Sequence, residues 1–76
     1  MHLKKIDLHN LRHDEVRNFL IHNIEDMWNS ETDVQIITGH SEKMKEIVVG
    51  ILKEYKLDYR IGDVFGLNQG FIKTVI

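Results

Sequence analysis

The stretch VQIITGHSEKMKEIVVGILKEYK, residues 34–56, changes its hydrophobic rhythm at Gly39. Before the glycine, Val34, Ile36 and Ile37 give the β-branched composition of a strand, expected over residues 34–39. After it, Met44, Ile47, Val48, Ile51, Leu52 and Tyr55 recur at intervals of three and four, the spacing of one helical face. Ser41 stands where an N-cap belongs, and the helix is expected to run to about Lys56. Gly50 inside it costs about 1 kcal/mol relative to alanine, so close helix packing is its expected reason. A strand feeding an amphipathic helix is the repeating unit of an α/β fold.

Upstream, NSETD at 29–33 reads as a polar loop. Over residues 12–28, Val16, Phe19, Leu20, Ile24, Met27 and Trp28 form a second helical stripe, with Asp14 and Glu15 suiting the dipole of its first turn. Residues 3–8 alternate as a short strand: Ile6 and Leu8 face a core, while Lys5, Asp7 and His9 share the opposite face. A turn at residues 9–11 follows, where Asn10 can adopt left-handed backbone angles more easily than most residues. Downstream, residues 57–61 and 71–76 read as two more strands around a loop holding Gly62, Gly66 and Gly70.

The order is therefore βαβαββ, an α/β chain folded as a two-layer α+β sandwich. A four-stranded mixed sheet, mostly parallel, carries both helices on one face and leaves the other face open. The 76 residues suffice for one domain, spanning 1–76, and nothing in them marks a linker.

Composition narrows the function classes. Without cysteine there is no disulfide framework, no thiolate zinc site and no cysteine nucleophile, and a reducing compartment, the cytoplasm, is expected. No apolar stretch approaches the roughly 20 residues that cross a bilayer, and no signal-peptide core opens the chain, so no membrane partner is expected. The formal charge of −2 is not the footprint of a strong nucleic-acid binder, but protonating all five histidines would carry it to +3.

In an open sheet, ligands bind outside the carboxyl ends of parallel strands. Two polar segments end such strands: DLHN at 7–10 and TGHS at 38–41. If the strands are neighbours, the two segments meet. The TGHS segment, before a helix, suits an anion; the plainer reading is a tight turn at Gly39 and a cap at Ser41, and Glu42 adds an unfavourable charge for phosphate.

These residues carry a resemblance. IDLHN-LRHDE at 6–15, IITGHS at 36–41 and a late Gly70 before the last strand resemble the Smr (small MutS-related) domain family, whose patterns are an L-D-x-H strand end, often D-L-H-G, and a later T-G-x-G or H-G-x-G loop. The resemblance covers nearly the whole chain in spacing and element order. It implies a compact βαβαββ domain similar to the C-terminal domain of translation initiation factor three, with endonuclease activity on RNA or DNA. It places the family's acid and imidazole at Asp7 and His9, its basic residue at Arg12 and its phosphate loop at Thr38, Gly39, His40 and Ser41. Asn10 and Ser41 stand where the family usually has glycine.

On RNA, His9 would take the proton of a 2′-hydroxyl that attacks the adjacent phosphate, with Asp7 orienting the ring and no metal strictly required. The loop N–H groups and Arg12 or His40 would meet the developing charge, with His40 a candidate acid. On DNA, water must attack, and Asp7 with a second carboxylate such as Asp14 or Glu15 would hold magnesium, the one cofactor considered. A zinc set of Asp7, His9, His13 and His40 is the weaker metal reading, because HNLRH spans a turn rather than one helical face. His2 and His22 read as surface residues, Trp28 as core, and Phe65 as a base-stacking candidate. The rival classes are a non-catalytic nucleic-acid or ribonucleoprotein binder, and a protein-interaction domain using the open sheet face or an edge strand.

Overall fold

The computed structural model describes residues 2–62 and 69–76; Phe65 and Gly66 lie outside the described residues. The elements are β1 (His2–Asp7), α1 (His13–Asp26), β2 (Thr32–Ile37), α2 (Glu42–Glu54), β3 (Tyr59–Ile61) and β4 (Phe71–Val75), the expected βαβαββ order. The four strands form one sheet in the order β1-β2-β4-β3. β1 and β2 are parallel, while β4 pairs antiparallel with both β2 and β3. The sheet is mixed, but only one neighbouring pair is parallel. A parallel neighbour for β3 would need a crossover of a dozen or more residues, and residues 62–70 are too few to supply one before β4. β4 therefore turns back and slots between β2 and β3.

Alternation along the strands sorts the two faces. Ile6, Leu8, Val34, Ile36 and Ile72 are buried against Val16, Leu20 and Ile24 of α1 and Val48, Ile51 and Leu52 of α2. Each such side chain contributes about 1.5–3 kcal/mol of burial. Lys5, Asp7, Asp33, Lys73 and Val75 point to the open face and are exposed. The helices are tied together at one end by a bidentate ion pair, Arg17 donating both terminal nitrogens to Glu54 at 2.8 Å. Nearby, the Tyr55 hydroxyl donates to Glu25 at 3.2 Å, and its ring lies 5.8 Å from that of Trp28.

Several sequence expectations are corrected by this packing. α1 ends at Asp26 with Met27 as its C-cap, so Trp28 falls outside the helical stripe; it is 47% exposed, and Phe19 is 43% exposed. Gly50 is not a helix contact, since a Cβ added there would meet nothing within 4 Å. β2 starts two residues early, at Thr32, whose carbonyl accepts from Ile76 at 3.0 Å. It also ends early, because the Thr38 and Gly39 N–H groups leave the ladder. β3 is only three residues long because Leu57 is spent capping α2: its N–H reaches back to Leu52 at 2.9 Å and that of Lys56 to Lys53 at 3.0 Å. Lys56 holds φ 57° in this helix ending, where glycine is the usual occupant.

Candidate functional site

The parallel register sets Asp7 beside Ile37, and the Leu8 N–H continues the ladder by donating to the Ile37 carbonyl at 2.8 Å. The segments that follow are held side by side. Leu8 is fully buried and anchors a turn closed by the Leu11 N–H donating to the Leu8 carbonyl at 3.0 Å. Asn10 keeps a negative φ in this turn, so its tolerance of left-handed angles is not called upon. The turn needs no glycine at that position, so asparagine there is no obstacle.

Asp7 and His9 meet. The Asp7 carboxylate accepts from the His9 backbone N–H at 3.1 Å and is hydrogen-bonded to ring Nδ1 of the same residue. Both side chains are about half exposed. The ring hydrogen bond, reinforced by the backbone one, holds the Asp7 carboxyl below its ordinary value against a small opposing effect of burial. With Nδ1 engaged by a carboxylate, the neutral ring carries its proton there and turns Nε2 outward as an acceptor.

The TGHS segment lies alongside. A Cβ built on Gly39 would sit 3.7 Å from the His9 Cβ, and Gly39 holds φ 66°. Gly39 thus makes the tight turn and Ser41 caps α2, its Oγ accepting from the Met44 N–H at 3.1 Å. The loop is pinned from the residue that precedes β4: the Gly70 carbonyl accepts from both Thr38 N–H and Gly39 N–H at 2.9 Å. The Thr38 hydroxyl, 2% exposed as a residue, donates to Gly39 O at 2.9 Å and reaches Gly70 O at 3.3 Å. Two of the four N–H groups expected to face an anion are therefore committed inward. Outside that segment, the N–H groups of Glu42 and Lys43 are orphan donors of the helix's first turn. His40 is exposed at the loop's tip.

Arg12 is the N-cap of α1 and projects into solvent, 81% exposed, with Nε 3.5 Å from Asp14. Glu15 is occupied in accepting the Arg12 backbone N–H at 3.0 Å. Neither acid joins Asp7, and among the described residues no three His, Asp or Glu side chains converge as a metal site would need. The described residues thus do not assemble Asp7, His9, His13 and His40 into one ligand set. What the sequence missed is Lys45, a lysine only 8% exposed, with Nζ 3.6 Å from Glu42. Only its position one residue beyond the apolar Met44 hinted at burial. Among the described residues no helix is long and apolar enough to cross a membrane.

No protein-family model matches the chain, and neither the curated proteins nor the solved structures contain a significant match. The resemblance to the Smr family accordingly rests on the two motifs and the element order alone.

Proposed function

We propose that this domain is an endonuclease of Smr type that cleaves RNA, with His9 as the general base and Asp7 as the residue that orients it. The observation that carries the reading is the Asp7–His9 contact: a carboxylate on Nδ1 leaves Nε2 as the acceptor of a half-exposed ring, able to take a proton from a 2′-hydroxyl. The oxygen so activated attacks the adjacent phosphorus, the 5′-oxygen leaves, and a 2′,3′-cyclic phosphate results. His40 and Arg12, exposed on the two flanking segments, are the side chains available to the phosphate and the leaving oxygen. RNA is favoured over DNA because hydrolysis by water would need a metal, and among the described residues neither Asp14 nor Glu15 joins Asp7 in a ligand set.

The test incubates purified protein with labelled single-stranded RNA, structured RNA and plasmid DNA, with and without magnesium, beside His9→Ala. Cleavage of RNA by the parent chain alone supports the proposal, and cleavage by both forms or by neither ends it.

One observation favours a second reading. Because Thr38 and Gly39 spend their N–H groups on Gly70, the loop offers less to a transition-state phosphate than a catalytic cradle would. In that case the domain binds nucleic acid or a ribonucleoprotein without cutting, and binding rises from pH 7 to pH 6 as histidines charge and falls with salt.

A further inference from the structure

We propose that the open face of the sheet, at the end away from Asp7 and His9, docks an acidic amphipathic helix of a partner protein. The registers arrange the exposed side chains of this face in transverse rows. Leu3, Asp33 and Val75 form one row; Lys5, Gln35, Lys73 and Arg60 form the next. Leu3 is 72% and Val75 54% exposed, the two most exposed large apolar residues among the described residues. They border a groove of about 740 Å³ that also reaches Lys56 and Tyr59. Along β1, Leu3 lies about 13 Å from Asp7, so the groove and the candidate catalytic pair are separate places. This inference does not depend on the cleavage proposal.

Charge decides the occupant's sign. The chain is acidic overall, yet Lys5, Arg60 and Lys73 cross one row together and none makes an ion pair among the described residues. Around the groove Lys56, Arg60 and Lys73 outnumber Asp33 and Asp58, and Asp14, Glu15, Glu25 and Asp26 lie on α1 in the other layer. A second copy docked symmetrically would bring the same cations face to face, which is unfavourable.

The neighbouring row decides its chemistry. Leu3 and Val75 flank Asp33, so a run of phosphates laid there would meet a carboxylate and two aliphatic side chains. A base-binding sheet offers exposed rings for stacking; the one described aromatic residue whose register places it on this face, Phe71, is 7% exposed with the Lys73 ammonium 5.7 Å from its ring centre, and Tyr59, which also lines the groove, is in register with Thr74 on the face that the helices cover. A helix with leucines on one stripe and glutamates beside it matches both rows, since these are about 7 Å apart and a helix is about 10 Å across. The face is small, so micromolar affinity is expected.

The probe is a fluorescein-labelled helical peptide of about 14 residues, roughly 21 Å long, with a leucine stripe flanked by glutamates. Its glutamine analogue and a labelled uridine oligonucleotide serve as comparisons. Saturable micromolar binding of the glutamate peptide is expected, weakening roughly tenfold in the folded Arg60→Glu, Lys73→Glu double variant and also in Leu3→Ser. Amide shifts should gather at Leu3, Asp33 and Val75. Absence of saturable binding, equal binding of the glutamine analogue, shifts confined to residues 7–10, or displacement of the peptide by the oligonucleotide would each overturn the proposal. Leu3→Ser alters only an exposed side chain, so it keeps the test decisive if the double variant does not fold.

Discussion

The carboxylate of Asp7 accepts two hydrogen bonds from one residue, His9, through its backbone N–H and its ring Nδ1. The pairing couples a strand end to the turn that follows it, and it sets both the charge state of the acid and the tautomer of the base.

The first consequence is a pH dependence. Asp7, through His9, and Glu54, through Arg17, both have carboxyl groups held below their ordinary values in the folded chain. A folded pKa below the unfolded one means that the contribution is complete above the ordinary carboxylate range near pH 4. It is lost as pH falls through the folded values. Urea denaturation at pH 7, 4 and 3 should show stability declining over the acid limb. Arg17→Met and His9→Ala should each make that decline shallower, and carboxyl carbon resonances should show Asp7 titrating higher in His9→Ala.

Catalysis gives the second prediction. His9→Ala should lower the rate of RNA cleavage by about 10²–10⁴-fold, the usual worth of a positioned general base. Asp7→Asn should lower it as well, because an amide can donate to Nδ1 and so move the ring proton onto Nε2. An RNA whose 2′-hydroxyl is replaced by hydrogen at the cleaved position should not be cut. Single-turnover gels read all three.

Two glycines should respond in opposite directions to alanine. Gly50 sits in the middle of α2 with open space around a new Cβ, so Gly50→Ala should stabilise by about 1 kcal/mol. Gly39 has room as well, with its nearest neighbour at 3.7 Å, but its φ of 66° makes Gly39→Ala cost about 1–2 kcal/mol. Thermal and chemical denaturation of the pair separate conformational strain from crowding.

Ser41 caps α2 through its hydroxyl. Ser41→Ala should cost about 1 kcal/mol, and Ser41→Asp should restore most of it. If the TGHS segment approaches a phosphate, Ser41→Asp should nevertheless weaken RNA binding, which a titration of labelled RNA measures.

The sequence disclosed the elements and their order because the apolar positions kept their period: Ile6 and Leu8, Val16, Leu20 and Ile24, and Met44, Val48, Ile51 and Leu52 all lie in the core. It brought DLHN beside TGHS once β1 and β2 were taken as neighbours, and it put Asp7 and His9 on one strand face while leaving their direct contact open. It could not disclose the direction of β4 relative to β2, because strand pairing is a long-range choice that local period does not encode. That same blindness hid the part played by Gly70, just before β4 and more than thirty residues away, whose carbonyl takes up two N–H groups of the candidate loop. Trp28 misled because its spacing continued the α1 stripe beyond the residue at which the helix stops.

The position of β4 bears on how the chain acquires its shape. It comes last among the six elements yet lies inside the sheet, so β3 has no hydrogen-bonding neighbour and β2 keeps an open flank until β4 arrives. The N-terminal βαβ half can gather early, but the sheet is joined only at the end, by contacts far apart along the chain. Such a topology folds cooperatively and comparatively slowly. During synthesis, the flank of β2 stays exposed to stray strands until residues 71–75 leave the ribosome.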